Sequence, residues 1–75
     1  MYLDIVLGFY NRADGGYAPW FMIFERDGGN TREIPFDCKE TAQSEKEAIR
    51  IAKAHALKIL EERYSSSVQV RFREK

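Results

Sequence analysis

The sequence predicts one α+β domain, in which four strands form an antiparallel sheet and a single helix packs on one face of it. Three strand-like runs separated by glycine-rich turns come first, and one long segment with helical periodicity follows them. A fourth alternating run comes after the helix, which gives the order β-β-β-α-β. A chain of 75 residues suffices for only one domain, so residues 1–75 form a single unit.

Alternation of apolar and other side chains predicts the first strand at residues 2–10. Leu3, Ile5 and Leu7 occupy one side of this strand. The following segment, residues 11–16, is rich in Asn, Asp and Gly, which tolerate a positive φ. This composition indicates a hairpin loop.

Two further strands complete an antiparallel meander. The second strand is predicted at residues 17–26, and its centre, residues 20–24, is apolar at every position. The pair of glycines within residues 27–30 indicates a second tight turn. Residues 31–36 then form the third strand.

A capping box predicts where the helix begins. The Ser44 hydroxyl can accept a hydrogen bond from the amide of Glu47, and the Glu47 carboxylate can reach back to the amide of Ser44. The helix extends over residues 45–64, which contain no Gly or Pro, and residues 68–73 alternate again as the last strand. The apolar face of the helix consists of Ala48, Ile49, Ala52, Ala56, Ile59 and Leu60.

The sheet is expected to have one covered and one open face. Alanine is abundant on the helix face and leaves room for large side chains, so we expect Trp20, Met22 and Phe24 to lie under the helix. The opposite register of the second strand would expose Trp20 and Met22 instead. In the expected register, the open face carries Tyr2, Val6, Tyr10, Phe21, Ile23, Arg71 and Arg73.

An uncovered apolar face predicts a non-enzymatic interaction module, because exposed apolar patches usually mark interaction sites. We expect the chain to homodimerise or to bind a small protein partner through this face. A domain of 75 residues is marginally stable alone, and oligomerisation is one common remedy. Leu57, which is predicted to lie off the core face of the helix, is a second expected contact point.

The charge distribution excludes strong electrostatic steering. The chain has 12 basic and 12 acidic residues and a formal net charge of zero, which argues against strong attraction to nucleic acid or an anionic membrane. Residues 1–40 carry four basic and seven acidic groups, whereas residues 41–75 carry eight basic and five acidic groups. Ordinary ion pairs between the two halves explain this division most simply.

A single-stranded nucleic-acid-binding domain is the alternative from another functional class. Tyr2, Tyr10 and Phe21 could stack on bases, while Arg71 and Arg73 hold phosphates. Salt dependence would separate this alternative from protein binding, because phosphate contacts weaken steeply with salt.

The sequence contains no cofactor or metal motif. Cys38 is the only cysteine, so no internal disulfide forms, and neither a signal peptide nor a membrane span is apparent. We therefore expect a cytoplasmic protein.

His55 is the only histidine, and one Cys with one His cannot supply the four ligands of a structural zinc site. A Cys38–His55 nucleophile pair is a third hypothesis, although no orienting partner is evident.

Two short motifs resemble HicB-type antitoxin domains. Residues 14–18, Asp-Gly-Gly-Tyr-Ala, are similar to the G-G-Y that opens the second strand in that family. Cys38, followed by Ser44 and then Glu47, is similar to the family's run from a cysteine through a helix cap into a helix, and the β-β-β-α-β order is shared. The segment from residue 17 to residue 38 is about twice as long as in the family. The resemblance implies a small, partial RNase-H-like domain that binds a protein partner, often as an oligomer, and it implies no catalytic residue.

Overall fold

Five elements follow one another in the computed structural model, which describes residues 1–75. All five predicted elements are present, and each boundary lies within one residue of its predicted position. They are β1 (Tyr2–Asn11), β2 (Tyr17–Asp27), β3 (Asn30–Asp37), α1 (Glu45–Arg63) and β4 (Gln69–Glu74).

The four strands form one mixed sheet in the order β3-β2-β1-β4. The predicted meander is confirmed, since β1 pairs antiparallel with β2 and β2 pairs antiparallel with β3. The prediction of a wholly antiparallel sheet is wrong, because β4 pairs parallel with β1. The fold is therefore α+β with one helix and four strands, but its sheet is mixed.

The direction of α1 explains the parallel pairing. Its 19 residues span about 28 Å, roughly the length of a strand of eight residues. It begins near Phe9 at the end of β1 and finishes with Tyr64 bonded to Glu25, which is paired with Leu3 at the start of β1. The helix thus returns the chain to the starting end of the sheet, and β4 must run in the same direction as β1.

The Ser44 cap is confirmed, although only one of the two hydrogen bonds of the predicted capping box is formed. Ser44 has extended backbone angles, and its side chain accepts a hydrogen bond from the amide of Glu47 at 3.1 Å. Three alanines along the inner side of α1, Ala48, Ala52 and Ala56, are completely buried. No helix of the chain combines the length and the apolar character needed to cross a membrane.

The core lies between α1 and the two central strands. Ile5 is paired with Ile23, and Leu7 is paired with Phe21, so these four side chains lie on the same side of the sheet. Phe21 and Ile23 are 2% and 0% exposed. The ring of Phe36 on β3 stacks on Phe21 at a centroid distance of 4.7 Å.

The predicted orientation of β2 is therefore wrong, and the opposite register is the observed one. Phe21 and Ile23 face the helix, whereas Trp20, Met22 and Phe24 lie on the uncovered side. The physical reason is that small alanine side chains let a helix approach the sheet closely and do not hold it away. The space beneath α1 is already filled by the apolar row of β1 and its cross-strand neighbours.

A matched pair of substitutions tests this orientation. Ile23→Ala should lower the free energy of unfolding by about 2–5 kcal/mol, because it leaves a cavity in the core. Met22→Ala, on the half-buried side of the same strand, should cost clearly less. Chemical denaturation at low protein concentration measures both values. Equal losses, or a larger loss for Met22→Ala, would contradict the register.

Candidate functional site

The side of the sheet that α1 leaves uncovered is the candidate site, and we call it the open face. Strand pairing arranges its side chains in rows across the sheet. On the two edge strands it carries Thr31, Glu33, Pro35 and Asp37 from β3 and Gln69, Arg71 and Arg73 from β4. On the central strands it carries Tyr2, Asp4, Val6, Gly8 and Tyr10 from β1 and Ala18, Trp20, Met22, Phe24 and Arg26 from β2.

A groove of about 470 Å³ runs across this face. Its floor is apolar and half-buried, and its walls are charged. The apolar lining residues are Val6, Trp20, Met22 and Phe24, and the charged ones are Glu33, Arg73, Glu74 and Lys75. An apolar floor within a charged rim is the general arrangement of a protein-binding surface.

Trp20 lies flat across the backbone of β1 at Gly8. A Cβ atom at Gly8 would come within 2.3 Å of the indole ring, so only glycine permits this contact. The ring also neighbours Tyr10 at a centroid distance of 5.8 Å, and the Lys75 ammonium lies 5.6 Å from its centre. The buried indole Nε1–H donates to no acceptor in the chain. Packing on both sides of the ring must offset that cost of about 1–3 kcal/mol.

A buried carboxylate lies in the same face. Asp4 is only 1% exposed, and both of its oxygens accept hydrogen bonds from arginines. Arg26 Nε lies 2.7 Å from Oδ2, and Arg71 Nε lies 2.9 Å from Oδ1. Arg26 is held in place further by the Thr31 hydroxyl at 3.3 Å and by the ring of Phe24. We call Asp4, Arg26 and Arg71 the Asp4 cluster.

The Asp4 cluster keeps its carboxylate ionised. Hydrogen bonds from Arg71 and then Arg26 lower the pKa of Asp4 to about 2, against the opposing effect of burial. Two of the cations on the open face are therefore already neutralised in part, and the cluster as a whole carries one net positive charge.

The remaining charges on the open side of the strands are separated by sign. Glu74 also reaches the groove, but its position in β4 is on the α1 side of the sheet. Glu33 and Asp37 lie on β3, and Arg73 and Lys75 lie on or next to β4. None of these four side chains makes an ion pair or a side-chain hydrogen bond within the chain. We call the first pair the acidic edge and the second pair the basic edge.

The structure places five of the eight predicted contact residues on the open face. These are Tyr2, Val6, Tyr10, Arg71 and Arg73. Phe21 and Ile23 are not among them, because both lie in the core under α1. Leu57 is 47% exposed on α1, away from the open face, so its predicted exposure is confirmed and its role stays a prediction.

Sequence reasoning missed the residues that give the face its shape and charge. The sequence places Trp20 and Met22 on the open face only in the register of β2 that we did not expect. It gives no direct indication of the Asp4 cluster or of the acidic edge. One signal was present. Asp4 interrupts a strand that is otherwise mostly apolar or aromatic, and a buried acid in a central strand requires cationic partners on neighbouring strands.

Cys38 lacks the environment of a nucleophile. It is 8% exposed, and burial, followed by the charges of Glu40 and Asp37, raises the pKa of its thiol to about 11. His55 is directed to Glu40, with Nε2 3.4 Å from the carboxylate, and it makes no hydrogen bond to the thiol. No three His, Cys, Asp or Glu side chains come together as metal ligands.

A second groove, of about 410 Å³, lies between the end of α1 and β4. Its only aromatic side chain, Tyr64, donates its hydroxyl to Glu25, and burial followed by this bond raises the pKa of Tyr64 to about 12. The open face has the larger groove and several aromatic side chains, so it is the stronger candidate site.

Comparisons with known proteins identify no relative. No protein-family model, no curated protein and no solved structure matches this chain. The resemblance to HicB-type antitoxin domains therefore stays a prediction.

The pKa of Asp4 predicts a pH dependence of stability. Its folded pKa of about 2 lies below the value of about 3.9 for an unfolded aspartate. The stabilisation is therefore complete above pH 4 or so and is lost as the pH falls toward about 2. Asp4→Asn should lower stability at pH 7 and flatten the fall between those pH values in denaturation experiments.

Two comparisons make this test specific. Glu62→Gln, on the exposed side of α1, should have the same dependence of stability on pH as the wild-type protein. Part of that dependence remains in every variant, because the Gly16 amide and Arg12 lower the pKa of Asp14 as well. An Asp4→Asn profile as steep as that of the wild-type protein would show that the cluster does not hold in solution.

Proposed function

We propose that this chain is a non-enzymatic interaction module that binds a protein surface, in the first place a second copy of itself, through the open face. The observation that carries the proposal is the apolar groove across a face that no element of the chain covers. Its floor of Val6, Trp20, Met22 and Phe24 is half-buried in the single chain. A partner that filled the groove would remove the rest of this apolar area from water.

The small core supports the same proposal. Only 14 of the 75 residues are buried, and those within the strands and the helix, apart from Asp4 and Gly8, lie on the helix side of the sheet. A domain of this size gains little stability from one core. Association through the open face would add a second apolar layer, as in a sandwich of two sheets about 10 Å apart.

Binding of single-stranded nucleic acid is the second candidate. It is favoured by the Lys75 ammonium above the Trp20 ring and by Arg73 on the same wall of the groove. Two features count against it. Asp4 occupies Arg26 and Arg71, and the acidic edge would repel phosphates along β3. We therefore favour the protein-binding function.

Three expectations from the sequence stay predictions. An antitoxin-like role rests on the resemblance alone. The expectation of a non-enzymatic protein is supported by the raised pKa of the Cys38 thiol and by His55, whose Nε2 lies 3.4 Å from the Glu40 carboxylate. A cytoplasmic location rests on composition.

The proposed function predicts a dimer that one substitution on the open face disrupts. Light scattering should give a mass of twice 8.8 kDa for the wild-type protein. Met22→Lys places an ammonium group in the middle of the apolar floor, which should weaken association by at least about tenfold. The variant should keep a native circular dichroism spectrum, because Met22 lies outside the core.

Leu57→Lys is the matched control, since it introduces the same charge at an exposed site on α1. It should leave the dimer intact. A monomeric wild-type protein at every concentration, or an unchanged dimer in Met22→Lys, would contradict the proposal. A titration with salt separates the two candidate functions, because an apolar interface persists at high salt whereas nucleic-acid binding falls steeply.

A further inference from the structure

We propose that two copies of the chain pack open face to open face about a two-fold axis parallel to the strands, so that the acidic edge of each copy lies on the basic edge of the other. This inference rests on the proposed function and names the partner and its orientation. It is carried by two independent observations: the four unpaired charges of the edges and the distribution of large and small side chains between β1 and β2.

The unpaired charges cannot satisfy one another within one chain. Strands lie about 4.8 Å apart, so β3 and β4 are separated by three spacings, or about 14 Å. Two like-charged residues therefore remain at each side of the sheet. A second copy can supply the opposite charges only if its β4 lies over β3 of the first copy.

Symmetry leaves two choices for an aligned sandwich. The two-fold axis lies between the sheets, either parallel or perpendicular to the strands. A perpendicular axis places β3 on β3 and β4 on β4, which brings like charges together. A parallel axis exchanges the edges, so that β3 of each copy meets β4 of the other.

The rows of the open face match under the parallel axis. Residues keep their height along the strands, so Glu33 of one copy lies at the level of Arg71 of the other, and Asp37 lies at the level of Lys75. Glu33 would balance the single net positive charge of the Asp4 cluster. Both pairings place an acid opposite a cation, and Arg73 lies at the level of Pro35, between the two acids of the other copy.

The shapes of the central strands favour the same axis. The open side of β2 carries the large residues Trp20, Met22 and Phe24, whereas the paired positions on β1 are Gly8, Val6 and Asp4. A parallel axis places β2 of one copy over β1 of the other, so the large Met22 meets the small Val6 in the middle of the face. A perpendicular axis would place Met22 on Met22 and Trp20 on Phe24.

The overall charge of the open face also fits a second copy better than a polyanion. Its strands and the residue that follows β4 carry four cations, Arg26, Arg71, Arg73 and Lys75, and three anions, Asp4, Glu33 and Asp37, and Glu74 adds a fourth acid at the wall of the groove. A surface that meets its own copy must be close to neutral, because any excess charge is doubled in the dimer.

Reversal of the edges tests the orientation. One variant carries Asp37→Lys, a second carries Lys75→Glu, and a third carries both changes, since these two residues lie at the same level in the proposed dimer. We expect each of the first two variants to dimerise at least about tenfold more weakly than the wild-type protein at low salt. The third should return to within about threefold of the wild-type dissociation constant, because residues 37 and 75 are again opposite in charge. A control with Glu62→Lys on α1 changes the net charge as much as Asp37→Lys does and should leave the dissociation constant unchanged.

The outcomes separate the orientation from the proposed function. If the wild-type protein dimerises and Met22→Lys does not, but the edge variants dimerise normally, the open face is the interface and the orientation is wrong. If all three edge variants are equally weak, the edges do not pair across the dimer, and the orientation is again overturned. If the wild-type protein is monomeric and instead binds a single-stranded oligonucleotide through the basic edge, both proposals fail.

Discussion

The register between β1 and β2 determines the rest of this structure. Ile5 lies opposite Ile23 and Leu7 lies opposite Phe21, so the apolar side chains of both central strands reach the same face. Because side chains alternate along a strand, a slip of one residue in this pairing would move Phe21 and Ile23 from the helix side of the sheet to the open face. That slip would bury Trp20 and Met22 under the helix. The position of the core, the approach of α1 and the composition of the open face all follow from this pairing.

The number of residues in the first hairpin loop sets that register. The sequence indicates the positions of the strands more clearly than it indicates the length of this loop. Asn11 pairs with Tyr17, which leaves a loop of five residues. A loop of four or six residues would fit the same Asn, Asp and Gly content, and each would reverse the orientation of β2. The run from Trp20 to Phe24 is apolar on both sides, so its sequence does not indicate which side faces the helix. The strands, the turns and the Ser44 cap were predictable, because each has a local signal.

The parallel β4 could have been predicted from lengths alone. Three strands of a meander leave β1 and β3 running in the same direction, and α1 is long enough to return the chain across the whole sheet. A strand that follows such a helix is parallel to β1 and β3 wherever it pairs at an edge. The Asp4 cluster was less accessible, since Arg26 and Arg71 reach the carboxylate from two strands whose neighbours depend on that topology. Electrostatics on the open face is thus a consequence of the fold, with one ion cluster at the centre and unpaired charges of opposite sign at the edges.

The central claim is that the open face meets a second copy, and Trp20 can report on it directly. It is the only tryptophan, and its ring forms part of the groove floor. Acrylamide quenching of its fluorescence, measured across a dilution series together with the mass by light scattering, follows the accessibility of the face. We predict strong protection at high concentration and a rise in quenching as the mass falls to that of one chain. Quenching that stays constant while the dimer dissociates would place the interface elsewhere and contradict the account.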